Sequence, residues 1–205
     1  TDFDYFQMVF DCYRALRRVG WSVDIVPKTV DPSAYKITFA PGLLTVPAGL
    51  SGGLVVAGPR AGSKTEELTI PEGLVPQIAG LATKVIYAES LPPFAPMSLT
   101  GEGAFEKWRE AIETTDAVIL RLEDGAPAAV RAGDMIYLAG WPDPNLWRRL
   151  LVQLAQEQGL LIMDLPRDIR IRDTQTHRFW FNYGPKPVTW NDMTLPAAGV
   201  QWEIL

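Results

Sequence analysis

The spacing of apolar residues along the chain predicts two helices. Over residues 4–19 they recur at intervals of three and four, as on the buried face of a helix, and Gly20 then suits the left-handed end of that helix. The same spacing returns over residues 145–158, where Gly159 follows. We also predict an amphipathic helix over residues 105–114 from its composition.

Short apolar runs between these segments predict strands. Residues 54–57 contain no polar position, which is typical of a strand covered on both faces in a parallel sheet. The link over residues 41–53 is rich in proline and glycine, so we expect a reduced connection without a long helix. The other short runs lie at residues 23–26, 35–40, 116–122, 128–131 and 135–139.

After Pro166 the pattern changes to strict alternation. Residues 169–172, 179–183 and 200–204 each alternate apolar with polar or opposite-facing side chains, and no helical spacing separates them. We therefore predict half-exposed antiparallel strands. The domain boundary is placed near Leu165 and Pro166, between an α/β domain over residues 1–165 and a small β domain over residues 166–205.

Charge and composition exclude several classes of protein. The 205 residues are 47% hydrophobic, which rules out a disordered chain, and a net charge of −5 gives no overall attraction to nucleic acid or anionic lipid. No apolar run approaches the length of a membrane-spanning helix, and the first residues lack the order of a signal peptide. We expect a soluble, cytoplasmic protein with no nucleic-acid or membrane partner.

The chain is poor in residues that do chemistry. A single cysteine, Cys12, excludes an internal disulfide and a cysteine-rich zinc site, and a single histidine, His177, removes most histidine-based metal and triad chemistry; we expect no metal and no cofactor. Cys12 falls on the apolar side of the first helix, so we expect a buried, protonated thiol. His177 lies in the polar segment 173–178, which is typical of a solvated hairpin tip.

Two further groups of residues favour structural roles. Residues 58–65 follow a buried strand as a phosphate-binding loop would, but the glycine and lysine spacing is wrong and Pro59 removes an amide donor. We expect a structural loop whose Arg60 and Lys64 can pair with acids. The acidic candidates for glycoside hydrolysis, which needs two carboxyl groups, all lie in polar or turn segments: Glu66, Glu67, Asp134 and Asp143.

Two tryptophans are the remaining site candidates. Trp141 precedes the late helix and fits either internal packing or a subunit interface. Trp180 points away from Phe179 and Phe181 on the same strand, so its indole must be covered or functional. Stacking on a sugar, packing on the α/β domain and packing on another subunit are all open for Trp180.

Several separated blocks resemble the trimerisation domain of glycoside hydrolase family 42 β-galactosidases. The blocks are residues 10–27, 35–41, 53–64, 89–92 and 136–143, the last reading Ile-Tyr-Leu-Ala-Gly-Trp-Pro-Asp. Residues 181–188, Phe-Asn-Tyr-Gly-Pro-Lys-Pro-Val, resemble the small C-terminal β domain of the same enzymes. The resemblance covers essentially the whole chain, and the blocks occur in the family's order.

The resemblance implies a flavodoxin-like α/β fold of the class I glutamine-amidotransferase type that has lost its nucleophile. Its sheet would be mostly parallel with helices on both faces, and the first strand would be missing because the chain begins almost at the first helix. The family's catalytic glutamates belong to an N-terminal (β/α)8 barrel, so the resemblance assigns no catalytic residue, cofactor or metal ligand here. The implied partners are that barrel and other copies of the chain in a trimer.

The leading hypothesis is a non-catalytic oligomerisation and support region of a β-galactosidase. The alternative is a stand-alone carbohydrate-binding or sensing module that uses Trp180, Trp190 and Trp202 of the β domain. A third hypothesis is an independent enzyme, for which Cys12 is the only thiol.

Overall fold

A computed structural model describes residues 3–47, 50 and 53–205. Helices α1 (Tyr5–Arg18) and α2 (Pro144–Gln158) confirm the predictions over residues 4–19 and 145–158. Helix α2 begins where its sequence directs, because the Asp143 carboxylate accepts a 2.7 Å hydrogen bond from the Leu146 amide and Pro144 occupies the first turn. Two short 3₁₀ helices cover Pro32–Ala34 and Glu72–Leu74.

The described residues form several sheets. The strands in chain order are β1 (Ile37–Ala40), β2 (Leu54–Ala57), β3 (Thr83–Ser90), β4 (Met97–Ser98), β5 (Ala104–Thr114), β6 (Ala117–Arg121), β7 (Pro127–Ala132), β8 (Met135–Leu138), β9 (Gly140–Pro142), β10 (Ile169–Asp173), β11 (His177–Asn182), β12 (Val188–Trp190), β13 (Met193–Leu195) and β14 (Val200–Ile204).

The sheet that contains β2 is mixed. Its order is β1-β2-β8-β7-β6, with β1, β2 and β8 parallel and with β7 antiparallel to both of its neighbours. The expectation of a mostly parallel sheet is therefore corrected to a mixed one. The cause is local, since the turns around Gly125 and Gly133 join β6 to β7 and β7 to β8, and strands joined by tight turns run antiparallel.

The predicted helix over residues 105–114 is wrong. This segment is strand β5, which pairs with β3, β4 and β9. Lys107 adopts a left-handed conformation with φ of +63°, and the register with β9 shifts between Phe105 and Arg109. This bulge places Phe105 and Trp108 three positions apart on buried sites, which imitates helical spacing in the sequence.

The antiparallel strands predicted after Pro166 are confirmed. Strands β10, β11 and β14 form one antiparallel sheet, and β12 and β13 form a hairpin. The apolar run over residues 23–26 is not a strand. Residues 41–47 of the predicted short link contain turns without a helix, while residues 48, 49, 51 and 52 of that link lie outside the described residues.

The chain divides into two compact units. Unit 1 comprises Thr1–Val9 and Val26–Arg149, and unit 2 comprises Phe10–Ile25 and Leu150–Leu205. Residues 150–165 thus group with the strands that follow them, and the domain boundary near Leu165 and Pro166 stays a prediction. Unit 1 contains the mixed sheet and its apolar core, which includes Val55, Val130 and Tyr137. The small core of unit 2 consists of Leu165, Ile169, Ile171, Trp180 and Leu195.

Candidate functional site

The turn that follows β2 is the part of unit 1 that most resembles an active site. All four residues of β2 are buried, and the turn begins at Gly58, where an added Cβ would overlap the carbonyl oxygen of Leu138. Two residues later Arg60 adopts a left-handed φ of +64°, and Gly62 follows with φ of +66°. A buried strand ending in a strained turn is where α/β enzymes commonly hold a nucleophile.

A buried carboxyl group lies against this turn. Glu110, on β5, is only 5% exposed. The Tyr137 hydroxyl donates a 2.6 Å hydrogen bond to its Oε2, and the Arg60 backbone amide donates a 2.9 Å bond to its Oε1. The cluster therefore joins β5, β8 and the turn after β2 through one side chain.

Burial controls the electrostatics of this cluster. It raises the pKa of Glu110, and the hydrogen bonds from Tyr137 and the Arg60 amide offset part of that rise. Burial and the neighbouring Glu110 charge also raise the pKa of Tyr137 well above its ordinary value. The Arg60 guanidinium lies over the rings of Phe3 and Trp108, at 4.9 and 5.5 Å from their centroids.

The arrangement is suited to holding the turn rather than to catalysis. An arginine stands where a nucleophile would be, and the Glu110 carboxyl is committed to two protein donors. The loop amides are also committed, since Gly62 and Lys64 donate to the carbonyls of Leu43 and Leu44. These amides do not form a phosphate cradle, which agrees with the structural interpretation of residues 58–65.

Sequence reasoning missed Glu110 and Tyr137. Strand periodicity was the signal available for Glu110, because Trp108, Glu110 and Ile112 alternate with more exposed positions and all three are buried. The helix assigned to this segment hid that alternation. Tyr137 was included in the apolar run 135–139, where nothing distinguished its hydroxyl from a packing side chain.

The structure places the remaining chemical candidates in separate positions. Cys12 is buried, and burial with the adjacent Asp11 raises the pKa of its thiol to about 12. His177 begins β11, with its Nδ1 2.7 Å from the Thr176 hydroxyl and its ring 5.1 Å from that of Trp202. The acidic candidates are likewise dispersed: Glu66 and Glu67 lie in an exposed turn, Asp134 lies in the β7–β8 turn, and Asp143 caps α2.

Trp141 and Trp180 are each buried within their own unit. Trp141 is 1% exposed and packs with Phe3, at a ring separation of 5.7 Å, and with Met8 and Trp108. Trp180 belongs to the small core of unit 2. A subunit-interface role for either tryptophan stays a prediction.

The described residues contain neither a cluster suited to a metal ion nor a membrane-spanning helix. Over residues 3–47, 50 and 53–205, no three His, Cys, Asp or Glu side chains are grouped so that they could hold a metal ion. Within those same ranges, no helix has the length and apolar character needed to cross a membrane.

One protein family and two related proteins match most of this chain. Residues 1–161 match the family described as "Beta-galactosidase trimerisation domain". A β-galactosidase of Thermus thermophilus is 40% identical over 201 residues, which cover 92% of this chain and 31% of that protein. A β-galactosidase of a Thermus species is 39% identical over 202 residues, with the same coverage of each.

Solved structures match over nearly the whole chain. The crystal structure of a β-galactosidase from the psychrophilic Marinomonas ef1 has a TM-score of 0.89 at 30% identity, covering 98% of this chain and 34% of that one. The β-galactosidase of the Antarctic haloarchaeon Halorubrum lacusprofundi has a TM-score of 0.84 at 26% identity, covering 98% and 36%. The chain spans about a third of the length of the proteins it matches.

Proposed function

Because the chain belongs to the β-galactosidase trimerisation domain family, we propose that it is the non-catalytic oligomerisation and support region of a glycoside hydrolase family 42 β-galactosidase. The family match over residues 1–161 carries this proposal. In the proposed enzyme a (β/α)8 barrel hydrolyses the galactoside. Residues 3–47, 50 and 53–205 do not form such a barrel. The partners of the chain are that barrel and two further copies of itself.

We further propose that residues 1–165 are a reduced flavodoxin-like domain of the class I glutamine-amidotransferase type, with helices on both faces of its sheet and without its first strand. The turn after β2 supports this origin. Gly58, Arg60 and Gly62 have the spacing of a Gly-x-nucleophile-x-Gly turn, and Arg60 has the left-handed backbone that such a turn imposes on its central residue. A guanidinium is not a nucleophile, so the turn would have kept its shape without its chemistry.

An exposed apolar segment offers a surface for the trimer. In residues 68–75, which we call the apolar loop, Leu68 and Ile70 are 66% and 65% exposed, and Leu74 is also exposed. Leu68 and Leu74 both have left-handed backbones, with φ of +62° and +58°. Such a backbone is strained for a leucine, and exposed apolar side chains on a strained turn are typical of a contact surface.

The apolar loop is compatible with the symmetry of a trimer, whose interfaces join two different patches. In a closed three-fold ring each subunit offers one patch and receives a different patch from its neighbour. We propose that the apolar loop is the offered patch and that it packs on another part of the next copy. The domain division at Leu165–Pro166 and a cytoplasmic location complete the proposal.

The mass of the chain in solution tests the proposal. Sedimentation velocity over a wide concentration range should show a species of three times the 22.7 kDa of one chain, growing as the concentration rises. A single 22.7 kDa species at every concentration would argue against an assembly role for this region. The same preparation should not hydrolyse a nitrophenyl β-galactoside.

A further inference from the structure

Unit 2 contains an open cleft of about 460 Å³, within the range of small-molecule sites in proteins. Its walls come from Ile162 and Met163, which precede β10, and from three elements of the β region. Strand β11 supplies Arg178 and Trp180, the β12–β13 hairpin supplies Trp190 and Asn191, and β14 supplies Glu203. The assembly role proposed above does not use any of these side chains.

Two indole rings form the floor of the cleft. The rings of Trp180 and Trp190 have centroids 5.1 Å apart and are tilted by 46°. Trp180 is held by the small core of unit 2, while Trp190 keeps part of its surface exposed. An indole face is suited to packing against the C–H side of a pyranose ring. Because the two indoles are tilted, the face of one is more accessible than the face of the other.

Polar groups stand around this floor. The Glu203 carboxylate accepts a 3.3 Å hydrogen bond from Trp180 Nε1, which holds it beside the rings while the residue as a whole remains exposed. Asn191 is exposed at the hairpin turn, where its φ of +47° fits the short turn that joins β12 to β13. Carboxylate and amide groups bind the hydroxyls of polyols in both directions, as acceptors and donors.

The charges disfavour ionic ligands. Arg178 makes two 2.7 Å hydrogen bonds to the Asp173 carboxylate, so its charge is neutralised by the protein. Glu203 then repels an anion such as a phosphate. A cation is also disfavoured on the Trp180 ring, because the Arg178 guanidinium lies 5.9 Å from the ring centre and already occupies the cation position there. A neutral, hydroxyl-rich ligand can form hydrogen bonds in the cleft without placing a charge beside Glu203 or Arg178.

We propose that this cleft binds a neutral sugar of mono- or disaccharide size. The ring stacks on Trp190, and its hydroxyls bond to Glu203 and Asn191. The site is independent of the proposed assembly role, because it uses only unit 2 residues that lie beyond the family match at residues 1–161.

Titration of the intact chain with methyl β-galactoside and with lactose tests the proposal. Binding is followed by the indole N–H resonances of the ¹⁵N-labelled protein and by intrinsic fluorescence. We expect saturable shifts in the millimolar range that include the indole resonances of Trp180 and Trp190. Glu203→Ala should weaken binding about tenfold or more, since it removes a charge-assisted acceptor, and Trp190→Ala should do the same.

Trp202→Ala is the matched control. Trp202 neighbours Glu203 on β14 but faces the other side of the sheet, where it is 59% exposed. Its loss should leave the sugar affinity unchanged within about twofold. Absence of saturation through the millimolar range, equal affinities in Glu203→Ala and wild type, or tighter binding of a choline probe than of either sugar would each overturn the proposal. Sedimentation velocity measures the trimer separately, so the two proposals can fail independently.

Discussion

The same residue types form two different kinds of site in the two units. In unit 1 a glutamate, an arginine and a tryptophan meet as Glu110, Arg60 and Trp108; in unit 2 they meet around the cleft as Glu203, Arg178 and Trp180. Glu110 is buried and receives bonds of 2.6 and 2.9 Å, whereas Glu203 is exposed and receives one of 3.3 Å from Trp180.

The difference shows that burial and hydrogen bonding, rather than residue type, separate a structural cluster from a binding site. A carboxyl group enclosed by protein donors stabilises the fold and cannot reach a ligand. A carboxylate held at the rim of an open cleft contributes little to the fold and keeps acceptor capacity for a ligand. The following substitutions test this distinction directly.

The largest expected effect is on the free energy of unfolding. Glu110→Ala leaves the Tyr137 hydroxyl and the Arg60 amide buried without their acceptor, so we expect a loss of about 3 kcal/mol. Glu203→Ala removes an exposed carboxylate and should change stability by less than about 0.5 kcal/mol. Urea denaturation followed by circular dichroism measures both. Equal losses in the two variants would remove the distinction between the clusters.

A smaller effect is expected on the pH dependence of stability. Folding raises the pKa of Glu110, so its stabilising contribution is complete below the unfolded pKa and is lost as the pH rises to the folded pKa. Over that window wild type should lose stability relative to Glu110→Gln, by at most about 1.4 kcal/mol per pH unit.

Urea titrations at successive pH values, starting near the ordinary pKa of a glutamate, measure this slope. The exposed Glu113 lies on the same strand, and Glu113→Gln serves as the control that should follow wild type. If Glu110→Gln also follows wild type at every pH, Glu110 does not titrate with a raised pKa.

Spacing in the sequence predicted the elements that keep a regular period. It was less successful for strands with an interrupted period and for the pairing of strands. Both long helices and the alternating strands after Pro166 followed from spacing alone. The composition of residues 105–114 favoured a helix for strand β5, and the bulge at Lys107 interrupts the alternation that would have indicated a strand. The antiparallel half of the mixed sheet follows from the short turns between β6, β7 and β8, whereas the family resemblance favoured a mostly parallel sheet.

The candidate sites depended on contacts that spacing does not encode. Glu110 accepts hydrogen bonds from residues that lie 50 and 27 positions away in the chain. The sequence around each partner does not distinguish it from a packing residue. Spacing in the sequence presents Trp180 and Trp190 only as separate aromatic candidates of the β domain. They meet in one cleft because the β12–β13 hairpin brings Trp190 against Trp180, whereas the alternation of β14 places Trp202 on the other face.

The most direct test of the assembly role is the mass of a chain whose apolar loop has been made polar. We predict that Leu68→Asp combined with Ile70→Asp converts a species of three times 22.7 kDa into a folded 22.7 kDa monomer in sedimentation velocity. Ile204→Asp, at a residue 75% exposed and outside the family match at residues 1–161, should leave the trimer intact. A trimer that survives the double substitution would contradict the interface, and a wild-type chain that never exceeds 22.7 kDa would contradict the assembly role itself.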